Sequence, residues 1–145
     1  MRTFLMTAIA GTAFALVLAV GAPANAATAS YSAAMTGAQE TPPTDSKGTG
    51  TVDAAFDAAT KMLTWTITYS GLTGAATAAH FHGPAKIGVA AAPVVPIKGD
   101  LTSPIKGSAT LTDQTAKDLA AGLWYFNVHS AKFPGGEIRG QLIQK

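Results

Sequence analysis

The chain has 145 residues, with 10 Lys and Arg against 8 Asp and Glu, three His and no Cys. The absence of cysteine excludes disulfides, thiolate metal sites and a lipid-modified cysteine, so the fold has to hold by packing and hydrogen bonding. Charged residues make up 12% and lie scattered, which argues against nucleic-acid binding through a basic patch.

Residues 1–26 carry the three regions of a secretory signal peptide: the basic Arg2, an apolar stretch from Phe4 to Val20, and the small-x-small site Ala24-Asn25-Ala26. Cleavage after Ala26 is expected, and 145 − 26 leaves 119 residues for residues 27–145, enough for one domain with its own core. The leader is the only hydrophobic stretch near membrane-spanning length, so no stable membrane anchor is expected after cleavage. The mature protein is expected in the periplasm or outside the cell.

From residue 27 onward, 13 Gly and 7 Pro punctuate short stretches, a composition that suits strands joined by turns. Tyr31, Ala33 and Met35 alternate with small or polar residues ahead of Pro42-Pro43, neither of which can donate a ladder hydrogen bond. Thr49 to Asp57 places Val52, Ala54 and Phe56 on one side, and Leu63 to Tyr69 alternates large apolar residues with Thr. Ala58 to Lys61 between them is short enough for a hairpin loop. Further strands are predicted at Ala75 to His82, Val94 to Lys98, Lys106 to Leu111, Leu123 to His129 and Gly136 to Gln144. Thr112 to Gly122 breaks the pattern, with a capping-type Thr or Asp at its start and Gly where a left-handed terminator belongs. It predicts a short helix near 113–121. About eight antiparallel strands and one short helix predict an all-β domain, a Greek-key β-sandwich or barrel.

All three histidines fall at predicted strand ends. His80 and His82 flank Phe81, so on an extended strand they project from the same face, two rises of about 3.3 Å apart. His129 ends another strand, with Asn127 on its face and Trp124, Phe126 and Val128 on the opposite one. If the two strands are neighbours, three imidazoles converge on a site suited to Cu or Zn, with a fourth position open to water. The plainer alternative is an H-x-H pair that merely hydrogen-bonds the backbone at a strand end. Geometry separates the two, because a His129 ring more than about 10 Å from the pair cannot share an ion whose bonds are near 2 Å.

A second polar group is Glu137, Arg139 and Gln141, expected on one face of the last strand behind a Gly135-Gly136 turn. Glu137 and Arg139 are expected to pair with each other or with groups on the adjoining strand, or Glu137 to accept from a histidine N–H as an outer-shell partner, with Asn127 the other outer-shell candidate. No G-x-S-x-G elbow and no obvious carboxylate pair is present, so no catalytic residue is assigned.

Four blocks, Gly37 to Pro43, Ala78 to Ala85, Gly122 to Ser130 and Pro134 to Leu142, together resemble the CHRD (chordin) domain family, in the family's order and across nearly all of residues 30–144. The resemblance implies a secreted or periplasmic all-β domain and no particular reaction. It also places His80 and His82 on the family's H-x-H and His129 on its N-x-H block, which implies a shared site. Lys86 to Pro96 departs from the family pattern in being Ala- and Val-rich. The expected function is a binding module rather than an enzyme, with a three-histidine Cu or Zn site. The alternative is a structural or adhesive domain that contacts an extracellular protein or polymer without metal.

Overall fold

In the computed structural model, residues 27–145 are described, and the expected leader and its cleavage site lie outside them. The alternation around Tyr31, Ala33 and Met35 forms β1 (Thr28–Thr36), in which these three residues point inward. It pairs antiparallel along its whole length with β2 (Thr49–Asp57), Tyr31 opposite Ala54 and Ala33 opposite Val52. The expected hairpin then turns β2 into β3 (Met62–Ser70). Asp57 Oδ1 accepts the N–H groups of Ala59 and Thr60 at 2.8 and 3.1 Å, an Asx-type closure, and Lys61 takes the left-handed conformation at φ 57.

The remaining elements follow the predicted order with shifted ends: β4 (Ala76–His82), β5 (Pro93–Pro96), β6 (Ile105–Thr110), α1 (Asp113–Ala120), β7 (Tyr125–Ser130), β8 (Ile138–Gln141) and β9 (Ile143–Gln144). The last predicted strand is divided in two. Leu142 donates its N–H to Trp124 O at 2.9 Å, while Ile143 and Gln144 pair instead with Ser32 and Tyr31 of β1. Helix α1 begins with a capping box, Thr115 N–H to Thr112 Oγ1 at 3.1 Å and Thr112 N–H to Thr115 Oγ1 at 2.9 Å. It is followed by Gly122 at φ 71, the left-handed terminator that the sequence offered.

The strands form one sheet in the order β5-β4-β7-β8-β1-β2-β3-β6, with β9 added beside β1. Of the sandwich and barrel alternatives, the chain takes the second, a nearly closed barrel whose open seam lies between β5 and β6. Its interior is apolar, and Phe81 is at its centre, with ring centroids 5.2 Å from Trp65, 4.7 Å from Phe126 and 5.9 Å from Trp124. Burying an aromatic side chain of this size supplies about 1.5–3 kcal/mol by transfer alone. The inward direction of Phe81 forces its neighbours His80 and His82 onto the outer face.

Where β8 crosses β1 the backbones lie too close for a side chain. A Cβ on Gly140 would stand 2.5 Å from the Ala34 carbonyl oxygen, and that oxygen belongs to the sheet and cannot swing away. Gly140→Ala is therefore expected to destabilise the domain by about 1–3 kcal/mol. A denaturant midpoint unchanged from the parent chain would show that the two strands can part more easily than this packing implies.

Candidate metal centre

Three strands present one polar outer face. In the register of β4 with β7, His80 lies opposite Asn127 and His82 opposite Tyr125; in that of β7 with β8, Asn127 lies opposite Arg139 and Tyr125 opposite Gln141. His129, two residues beyond Asn127, shares that face. The face is not left to solvent. The loop from Gly83 to Ala92 and the segment from Gly37 to Gly48 fold over it, so that His82, Asn127, Arg139 and Gln141 are buried and His80 and His129 are half-buried at its open side.

The three imidazoles converge. One ring nitrogen from each lies within 4.8 Å of the others, and the ring centroids are 5.3, 4.9 and 6.5 Å apart, well inside the limit that separates a shared site from isolated histidines. His80 Nδ1 and His129 Nε2 are 3.1 Å apart.

Backbone carbonyls fix the tautomers of two rings. His82 Nδ1 lies 2.8 Å from Ala91 O, and His129 Nδ1 lies 2.9 Å from Pro134 O. A carbonyl oxygen only accepts, so each Nδ1 carries the hydrogen and each neutral ring turns an Nε2 lone pair inward. Both Nε2 atoms then face Asn127 Oδ1 at 3.0 Å, another acceptor. Three lone-pair-bearing atoms, His82 Nε2, His129 Nε2 and Asn127 Oδ1, therefore meet, and His80 Nδ1 joins them in the tautomer that carries its hydrogen on Nε2, an arrangement that a cation would satisfy.

Protonation is another way to satisfy such a cluster, and the surroundings oppose it. Burial lowers the affinity of His80 for a proton, and the charges of His129 and His82 lower it further. For His82, burial again lowers the pKa most, opposed by its bonds to Ala91 and Asn127 and reinforced by His129 and Arg139. The folded state therefore binds fewer protons here than the unfolded chain, whose imidazoles titrate near 6.5. The resulting stability is fully present above about pH 6.5 and is lost as pH falls toward the depressed folded-state values. Denaturant midpoints of the metal-free protein are expected to fall between pH 7.5 and 5, and less so in a His80→Gln/His82→Gln variant. An identical decline in the two proteins would assign the loss to other groups.

Tyr125 is flanked by two side chains from neighbouring strands. Its ring stacks on His82, with centroids 4.7 Å apart and planes 3° from parallel, and the Arg139 guanidinium carbon sits 3.4 Å from the ring centroid. Arg139 also donates to Thr41 Oγ1 at 3.0 Å and Val89 O at 2.8 Å. It thus joins both covering segments to the sheet while holding a cation against an aromatic face.

Two expectations about the last polar block are corrected. Arg139 does not pair with Glu137; among the described residues the ion pairs are Lys61–Asp113 and Lys145–Asp53, both exposed. Nor does Glu137 reach a histidine. Its fully buried carboxylate accepts from Ser46 Oγ at 2.6 Å, Thr73 N–H at 2.7 Å and Thr73 Oγ1 at 3.0 Å. Burial raises its pKa, but the hydrogen bonds outweigh that and hold it below the ordinary value. The cause is local backbone: β8 begins only at Ile138, and although Val128 pairs with Ile138 its carbonyl takes the Glu137 N–H at 2.7 Å, so the strand alternation does not reach back to Glu137. Asn127, the other outer-shell candidate, does contact His82 and His129.

Sequence reasoning assigned no role at the site to Glu40, Tyr125, or the carbonyls of Ala91 and Pro134. Glu40 stands in the block Gly37 to Pro43, and an acid beside two prolines was the one signal available. Its side chain is buried behind Asn127, and burial raises its pKa against smaller pulls from Thr41, Asn127 and Arg139.

The family model for the CHRD domain matches residues 31–142, a span that includes all three histidines and every strand pair around them. The chain belongs to the CHRD family. Comparisons of this CHRD protein with curated proteins and with solved structures return no match. The three-histidine group of the domain is one that could hold a metal ion. Among the described residues no helix is long and apolar enough to cross a membrane.

Proposed function

We propose that this CHRD domain is a metal-binding module of the periplasm or cell exterior, taking Cu or Zn through His80, His82 and His129. The observation that carries the reading is the inward convergence of His82 Nε2 and His129 Nε2, each fixed by a backbone carbonyl on its other nitrogen. Second acceptors of this kind orient metal-ligating histidines generally. The secretory pattern of residues 1–26 supports the location. Three imidazoles without a thiolate favour borderline metals, and Cu(II) is expected to bind more tightly than Zn(II), in keeping with the general order of affinities.

Donors on a four-coordinate ion with bonds of 2.0–2.1 Å stand about 3.4 Å apart. The pair His80 Nδ1 and His129 Nε2 is already at 3.1 Å, and with all three ring nitrogens within 4.8 Å of one another, loading asks for the rings to draw together. The function is binding rather than catalysis because His82, His129 and Arg139 each have a nitrogen engaged with a backbone carbonyl.

A second reading is carried by Ile87 and Val89. These side chains of the covering loop are 75% and 52% exposed beside the site, and they would suit contact with an extracellular protein or polymer in a structural or adhesive domain. Calorimetric titration of the purified protein with Cu(II) and with Zn(II) separates the two. One ion per chain, bound more tightly than by His129→Ala, is expected; equal binding by parent and variant would favour the adhesive reading.

A further inference from the structure

Behind the histidines lies a carboxylate with no assigned task. Glu40 is 6% exposed, and its Oε1 is buried without a hydrogen bond. The other oxygen, Oε2, receives only the Thr41 N–H, at 3.3 Å. Leaving a buried carboxylate oxygen short of donors is costly, so a feature of this kind needs an explanation.

The neighbouring glycine supplies one. Gly136, at φ 127, lies against the carboxylate, and a Cβ there would collide with Glu40 Oε1 and stand 2.7 Å from Asn127 Nδ2. Glycine at this position lets the carboxylate and the amide nitrogen crowd the same Cα. An amide nitrogen only donates and a carboxylate only accepts. Glu40 Oε1 and Asn127 Nδ2 border the same space without a hydrogen bond between them, and Asn127 turns Oδ1 the other way, where His82 Nε2 and His129 Nε2 each lie 3.0 Å from it.

Three of the spacings between neighbouring donors are short, and the three ring nitrogens all lie within 4.8 Å of one another. His80 Nδ1 to His129 Nε2, His129 Nε2 to Asn127 Oδ1 and Asn127 Oδ1 to His82 Nε2 measure 3.1, 3.0 and 3.0 Å. Donors around a tetrahedral ion with 2.0–2.1 Å bonds would be about 3.4 Å apart. Resting on the metal reading above, we propose that Asn127 Oδ1 is the fourth donor to the bound ion and that Glu40 is the positioning residue that aims it. The site is then a closed three-nitrogen, one-oxygen cage with an anionic backing, and the position expected to be open to water is filled by the protein. Closed coordination is the pattern of metal sites that bind rather than catalyse.

The test exploits the fact that donor and acceptor can be exchanged across this contact. Glu40→Gln leaves Asn127 without a partner that only accepts and removes the charge, and Cu(II) affinity by calorimetry is expected to fall by about 10–100-fold. Asn127→Asp sets two carboxylates against each other, and a lower metal-free melting temperature than the parent's is expected. The double variant Glu40→Gln/Asn127→Asp restores a donor facing an acceptor, now with the polarity reversed. It is expected to melt above Asn127→Asp and to bind Cu(II) more tightly than Glu40→Gln. Glu40→Gln thus harms the site beside Asn127 and helps it beside Asp at the same position. The same sign of effect in both backgrounds would overturn the proposal. Should Asn127→Asp fail to fold, recovery of a folded double variant reads the same contact, and failure of both overturns it. Because the melting comparison contains no metal, it stands even if the parent binds no Cu(II), a result that would instead refute the metal reading.

Discussion

Replacing His80 and His82 together with alanine is expected to abolish tight binding of Cu(II) and Zn(II). The two rings come from one strand and supply two of the three imidazoles, so what remains is His129 with an amide oxygen, which is no site for either ion. The loss should exceed the 10–100-fold typical of outer-shell changes. The substitutions lie on the outer face of β4, where the two rings meet one another, His129 and Tyr125 and hydrogen-bond with His129, Asn127 and the Ala91 carbonyl. The barrel interior is untouched, and the variant is expected to keep the parent's near-ultraviolet circular dichroism. Equilibrium dialysis with each metal checks the claim; retention of one tightly bound ion per chain would mean that the ion sits elsewhere.

Phe81→Ala is expected to have the largest effect on stability. Phe81 is fully buried, lies between the two histidines in sequence, and meets Trp65, Phe126 and Trp124. Removing the ring leaves a cavity that three large aromatics cannot collapse into without leaving their own rotamers. A cost of about 3–5 kcal/mol follows from comparable core truncations. Chemical denaturation gives the value directly, and a loss below about 1 kcal/mol would contradict the central place of this ring. The same substitution links core to site. Phe81 directs β4 so that its neighbours face outward, and an ion that binds only the folded state offsets part of the lost stability in proportion to the logarithm of its concentration. Excess Zn(II) is expected to raise the melting temperature of Phe81→Ala, whereas the same addition to a chain lacking His80 and His82 should raise it little.

Much of the domain was legible in the sequence because the determining signals are local. The period-2 pattern of Thr49 to Asp57 and Leu63 to Tyr69 needs no distant partner to be read, and the helix was bracketed by its own Thr112 and Gly122. The H-x-H pair was legible for the same reason, since strand geometry alone puts both rings on one side. That His129 joins them depends on the pairing of β4 with β7, which sequence could pose only as a condition.

The unread parts are those in which remote segments meet. Glu40 approaches Asn127 across most of the chain, and the two carbonyls that fix the imidazoles belong to Ala91 and Pro134, whose side chains carry no sign of that use. Glu137 misled for a physical reason: the alternation shared by Arg139 and Gln141 was extended back to Glu137, which lies before β8 begins at Ile138. The division of the last strand at Leu142 likewise depends on Trp124 capturing its N–H, a contact set by the barrel rather than by the residues on either side.

The central claim is that one ion is held by three imidazoles on the outer face of β4 and β7. X-ray absorption at the Zn edge of the purified, Zn-loaded protein tests it most directly. The account predicts a first shell at about 2.0–2.1 Å with the multiple-scattering signature of three imidazole rings, reduced to one ring or lost when His80 and His82 are replaced. A shell of oxygens alone, or a spectrum unchanged in that variant, would contradict it.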